Sequence, residues 1–231
     1  RPKASVRDDE GHLWIAKFPS AHDDHDVGAW EAVAHLLATK AGLRVPEARA
    51  QRFANDHHTF LSRRFDRQGG ERLAFSSAMT QLGQADGDVD PEVGYLEMAS
   101  FLARVGAAPE VDLPALWRRV VFNVCISNTD DHLRNHGFLW APDGWRLCPA
   151  YDLNPSIDRT ELAIPYDGVS VELDLDVVRE AAAVYRLTPP EADRVLDEVV
   201  AAVRTWREVA GNLGLSRGAC GRMAEAFAAV A

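Results

Sequence analysis

The chain has little cysteine, no positive excess and no long apolar run. It holds three cysteines in 231 residues, Cys125, Cys148 and Cys220. The count is odd and no two are spaced as CxxC, which argues against a disulfide framework and suits a reducing, cytoplasmic setting with each thiol acting as a small buried hydrophobe. Positive charge is in deficit, with a net charge of −10. That argues against direct nucleic-acid binding through phosphates, although a basic partner could still carry the chain to DNA. No apolar stretch approaches the roughly twenty residues of a membrane span, and no secretory leader opens the sequence. There is no internal repeat. The abrupt start at Arg1-Pro2-Lys3 suggests an absent upstream segment. The remainder is ordinary for a soluble globular protein, with 47% apolar and 26% charged residues, enough for one large domain or two small lobes.

The first 70 residues read as strands with one inserted helix. Ala4–Val6 and His12–Phe18 alternate as strands around the turn Asp8-Asp9-Glu10-Gly11. Trp30, Val33, Ala34, Leu37 and Ala41 recur at helical spacing, which predicts a helix over Ala29–Ala41 stopped by Gly42. Val45–Phe53 and Thr59–Phe65 read as a strand pair around Asn55-Asp56-His57-His58, and Asp66–Glu71 with Gly69-Gly70 reads as a boundary. Residues 71–231 read as a helical lobe. Its predicted helices are Pro91–Val105, Leu113–Ser127, Asp176–Leu187, Pro189–Ala210 and Ser216–Val230, with a hairpin of Gly137–Trp140 and Trp145–Cys148. The acidic, histidine-rich stretch His22–Asp26 reads as a solvated loop.

Polar groups concentrate between Asn123 and Asp152, where Asp130, Asp131, His132, Asn135, His136 and Asp152 sit among apolar residues. Asp130 and Asn135 form D-x-x-x-x-N, and Asp152 follows the hairpin. Phosphoryl transfer needs this set: one carboxylate to orient the attacking hydroxyl and take its proton, and an amide oxygen and a second carboxylate to hold Mg²⁺ against nucleotide phosphates. Protein kinases space the roles alike. The same logic asks for a strand lysine and a helix glutamate. Lys17, ending Trp14-Ile15-Ala16-Lys17, and Glu31 on the first helix fill those places. The Gly-rich phosphate loop is not visible. A Zn²⁺ site on His132 and His136, four apart, is a competing reading that leaves Asn135 and Lys17 without roles. A kinase-like module that binds ATP or a partner without catalysis is another.

The strings NTDDHLRNH and LCPAYDLNPS resemble the signature of the HipA-like serine/threonine kinases, toxin components of bacterial toxin–antitoxin pairs. Arg1-Pro2-Lys3-Ala4 is similar to the end of that family's phosphate loop, and Arg64-Phe65-Asp66-Arg67 to its interlobe hinge. The resemblance runs from residue 1 to about 160. It implies a bilobal, protein-kinase-like α/β (α+β) fold using ATP and Mg²⁺. Asp130 would be the catalytic base and His132 would support the catalytic loop and phosphates. Asn135 and Asp152 would hold the metal, and Lys3 and Lys17 would meet the phosphates. Arg63 and Phe65 would lie at the adenine hinge. The resemblance further implies a protein substrate such as an aminoacyl-tRNA synthetase, and a DNA-binding antitoxin as partner. Asp131 and His136 are left with no functional role and are expected to be solvated or structural.

Overall fold

The computed structural model describes residues 1–53 and 56–231. Strands β1 (Lys3–Arg7) and β2 (Leu13–Lys17) lead into helix α1 (Val27–Lys40), followed by β3 (Ala48–Gln51) and β4 (Thr59–Arg63). These strands form an antiparallel sheet in the order β1-β2-β4-β3. Its two faces differ because side chains alternate across a strand. Trp14, Ala16 and Leu61 make a small core on one face with Val6 against them, while Ile15, Lys17, Phe60 and Ser62 line a cleft. Asn55 of the expected turn lies outside the described residues.

A two-residue hairpin of β5 (Arg67–Gln68) and β6 (Glu71–Arg72) occupies the expected boundary, turning at Gly69-Gly70. Then come β7 (Phe75–Ser77), the short α2 (Ala78–Gln81), α3 (Tyr95–Val105) and α4 (Pro109–Cys125). Strands β8 (Gly137–Ala141) and β9 (Gly144–Leu147) form the expected hairpin. β7 pairs with β8 as a third strand, three half-buried residues too short to carry a visible alternation. The chain closes with α5 (Leu175–Glu180), α6 (Pro189–Val203), α7 (Trp206–Asn212) and α8 (Arg217–Arg222).

Several boundaries differ from the sequence expectation. α3 starts at Tyr95 instead of Pro91, because Asp90 draws the next residues into a turn, its carboxylate accepting from Glu92 and its carbonyl from Val93. Gly94 then begins the helix where only glycine fits: a Cβ there would lie 2.2 Å from the Pro165 carbonyl oxygen. α4 starts earlier than Leu113, with Pro109 in its first turn, where proline's missing N–H costs nothing. The long helix expected over Pro189–Ala210 is two helices broken at Arg204-Thr205, and the last predicted helix is α8 followed by a 3₁₀ segment kinked at Phe227. Both breaks serve one packing site. Trp206 and Phe227 stack at 4.3 Å, and Trp30 of α1 lies 6.1 Å from Trp206.

That aromatic site fixes where α1 belongs. The helix touches β3 and β4, yet it packs also on α6 and α7. Trp30, Val33, Ala34 and Leu37 are part of the one large core that α4 runs through. Asp26 caps α1, accepting from the Ala29 amide at 3.1 Å, and its other oxygen meets His58 at 2.6 Å. No helix is long and apolar enough to cross a membrane, among the described residues.

Candidate active site

Four elements converge where the sheet faces the helical part. β2 ends in Lys17, whose side chain is turned off the small core by the strand's alternation. Its ammonium contacts Glu31 of α1 and lies 2.5 Å from Asp152 Oδ1. Lys3 sits directly across from Lys17 in the β1–β2 register. Like charges opposed on neighbouring strands repel, and Asp152 answers both, with its second oxygen 3.7 Å from Lys3 Nζ. Asp152 itself adopts a left-handed backbone, φ 59°. Aspartate tolerates this better than most residues, and such conformations collect at functional sites.

The charges respond to one another. Burial works against the Lys17 ammonium, but Glu31 and Asp152 more than offset it and its pKa is raised. Burial would raise Asp152 too, but Lys17, then Lys3 and His132, hold it below the ordinary carboxylate value. Glu31 moves the other way. Complete burial raises its pKa, and Lys17 offsets only part of that.

The cleft beside this cluster encloses about 580 Å³ and is lined by Lys3, Lys17, Glu31, Arg63, Phe65, His132, Asn135 and Asp152. The structure thus brings together eight of the nine expected site residues in one space. The ninth, Asp130, is exposed and lines an adjoining space of about 690 Å³ that shares Lys3, Lys17, Glu31, His132 and Asp152 with the first. Asn135 ties the two, donating from its amide to the Asp130 carbonyl at 3.2 Å. At the far end, Phe65 lies 5.7 Å from the Tyr151 ring and 6.0 Å from Phe75. Arg63 lines the cleft, but its guanidinium reaches out to Glu47 at 3.1 Å.

Sequence reasoning missed what lies beneath the loop. Asp131 and His136 are not solvated: both are buried and paired at 2.9 Å. Tyr95 of α3 donates to Asp131, and Asn123 of α4 donates to Tyr95 at 2.8 Å. Arg119 of α4 meets His136 Nδ1 at 3.3 Å and the Cys148 carbonyl at 2.8 Å. Arg119 and Asn123 are four apart on α4, but Glu110, Asp112 and Arg118 on the same helix mask that spacing as a signal. With both ring nitrogens engaged, His136 has no lone pair to give a zinc ion shared with His132. Among the described residues, three metal-binding side chains approach one another only at Asp8, Glu10 and His12, far along the first hairpin.

Comparison with known proteins bears on the family and the fold. The HipA-like C-terminal domain family matches residues 1–207. The chain belongs to that family. The HipA-like chain is also similar to Y4mE of Sinorhizobium fredii, described as a candidate kinase, at 28% identity over 158 residues, covering 64% of this chain and 36% of Y4mE. Among solved structures it is similar to HipA of Shewanella oneidensis MR-1, solved with HipB and its operator DNA, at TM-score 0.76 and 18% identity, covering 99% of this chain and 62% of that one. It is similar as well to the proinflammatory kinase CtkA of Helicobacter pylori, at TM-score 0.59 and 14% identity, covering 92% and 95%. These likenesses show a kinase-like fold. The chain spans about a third of the length of Y4mE and 62% of the Shewanella HipA.

Proposed function

We propose that the HipA-like chain carries the catalytic core of an ATP-dependent serine/threonine protein kinase. The observation that supports this most is the Lys17–Glu31–Asp152 cluster at the junction of two spaces, one holding Asn135 and the aromatic end, the other Asp130. Nucleotide would enter the first space, its base against Phe65 and Tyr151 and its phosphates toward Lys17 and Lys3. The acceptor hydroxyl would approach from the second, where Asp130 can take its proton. The residues suit a nucleotide-bound Mg²⁺: Asn135 and Asp152 offer hard oxygens, and two buried polar atoms at the junction, His132 Nδ1 and Asn154 Oδ1, have no partner among the described residues. When bound, the metal would neutralise phosphate charge, while the chain's own groups position the reactants.

The Shewanella HipA, solved with HipB and operator DNA, supports an antitoxin partner that itself binds DNA. The acidic charge of −10 suits a basic partner. A translation component such as an aminoacyl-tRNA synthetase is the proposed substrate class. The test is transfer of labelled γ-phosphoryl from Mg²⁺-ATP to the chain itself or to a candidate protein. Asp130→Asn is expected to lower the rate by about 10²–10⁴-fold with ATP binding kept. Asp152→Asn is expected to weaken Mg²⁺-ATP binding as well. Nucleotide binding without transfer in the unaltered protein would leave a binding module instead of an enzyme.

A further inference from the structure

The two sides of the site are carried by different segments. Asp130 and Asn135 lie on the loop after α4, and Asp152 lies beyond the β8–β9 hairpin. Their relative placement has to hold to within about 1 Å, since misplacement of that size can cost about 10²-fold in rate. Among the described residues of α4, Arg119 is the one whose side chain hydrogen-bonds the flanks of both segments. One Nη donates to the Cys148 carbonyl at 2.8 Å, four residues ahead of Asp152. The other meets His136 Nδ1 at 3.3 Å, the residue after Asn135.

The chemistry fixes the sense of each bond. A guanidinium only donates, so His136 Nδ1 accepts and its Nε2–H donates to the Asp131 carboxylate at 2.9 Å. Asp131 also accepts from the Tyr95 hydroxyl, which burial and the Asp131 charge keep protonated by raising its pKa well above the usual value. Asp131 is the neighbour of Asp130. Arg119, itself buried at 4% exposure, has no carboxylate within ion-pair distance among the described residues. Its charge is answered by Asp131 through the imidazole. We propose that Arg119 and His136 are positioning residues that brace the Asp130–Asn135 loop against the segment bearing Asp152, and so set the geometry of metal–nucleotide binding and transfer. This rests on the kinase reading above.

The experiment compares Arg119→Lys, Arg119→Met, His136→Leu and His136→Gln in the full chain. Three readouts are used: ATP affinity with and without Mg²⁺ by calorimetry, kcat for γ-phosphoryl transfer, and backbone hydrogen exchange over 130–136 and 148–152. Lysine keeps the charge but presents its donors from a single nitrogen, which cannot span the two acceptors that separate Nη atoms reach. Glutamine keeps one donor and one acceptor in the imidazole's place. Arg119→Lys, Arg119→Met and His136→Leu are expected to reduce the Mg²⁺-dependent gain in ATP affinity and kcat by about tenfold or more, with Mg²⁺-free affinity unchanged and exchange raised in both segments together. His136→Gln is expected to stay near the unaltered protein in each. A uniform loss with and without Mg²⁺, exchange rising in one segment alone, or His136→Gln failing as His136→Leu does would each overturn the inference. Exchange needs no turnover, so an inactive unaltered protein would refute the kinase reading while the brace is still judged. If the methionine and leucine variants do not fold, Arg119→Lys against His136→Gln decides.

Discussion

Two polar clusters lie on either side of the Asp130–Asn135 loop. The deep one, Tyr95–Asn123–Asp131–His136–Arg119, is buried and, among the described residues, leaves no buried side-chain nitrogen or oxygen without a partner. The shallow one, Lys3–Lys17–Glu31–Asp152, opens on two cavities and holds Asp152 in a left-handed backbone, with unpartnered polar atoms nearby. A closed network specifies a structure, because each member's loss strands another. An open one keeps coordination capacity for something that arrives later. The same residue types thus serve two ends, and completeness of pairing tells them apart.

Breaking the deep cluster should have the largest effect on stability. Asp131→Leu strands the donors of Tyr95 and His136 and leaves Arg119 without its counter-charge. Removing one partner of a buried ionic network costs about 3–5 kcal/mol, to be read from urea unfolding. In the shallow cluster stability and activity should separate. Lys17→Met leaves the Glu31 carboxylate buried and alone, at about 1–3 kcal/mol, softened as Glu31 takes up a proton. The double variant Lys17→Met/Glu31→Leu should recover most of that loss, since buried ion pairs are often replaceable by apolar residues, yet remain without transferase activity. Recovery of activity in the double variant would show the shallow cluster to be structural after all.

A smaller effect sharpens the contrast at the α1 cap. Asp26→Ala should cost about 0.5–2 kcal/mol, the usual range for a lost N-cap. Burial opposes the Asp26 charge, but His58 and the His58 and Ala29 amides hold its pKa below the ordinary 3.8. A depressed folded pKa gives stability that is present above pH 3.8 and lost as pH falls through the lowered value. Unfolding free energies of the unaltered protein and Asp26→Asn should therefore converge on acidification. A gap that stays constant with pH would assign the effect to packing.

How much of this was legible before the structure follows from the same contrast. Lys17, Glu31, Asp130, Asn135 and Asp152 stood out because residues in and beside the open cluster break their local pattern: a cation ends an apolar strand, and acids crowd a loop. β2, α1, β4 and the β8–β9 hairpin were legible from period and turn residues. Tyr95, Arg119 and Asn123 were not, because on their own helices they read as ordinary interior or surface positions and their partners lie up to 36 residues away. The breaks in the C-terminal helices were equally hidden. No proline or glycine marks Arg204-Thr205, and the cause is a tertiary stack on Trp30 and Phe227. α1 likewise read as part of a strand-rich lobe, whereas its apolar face is buried in the helical core.

That stack has an optical consequence. Trp30 precedes Glu31 in the chain, borders the space that holds Asp130, and lies within energy-transfer range of Trp206, 6.1 Å away. The native protein carries an emission reporter one residue from the Lys17–Glu31 ion pair. A ligand that shifts α1 should change the coupling between these two indoles, and Trp206→Phe, made with Trp14, Trp117, Trp140 and Trp145 also replaced by phenylalanine, should leave Trp30 as a local gauge of the site.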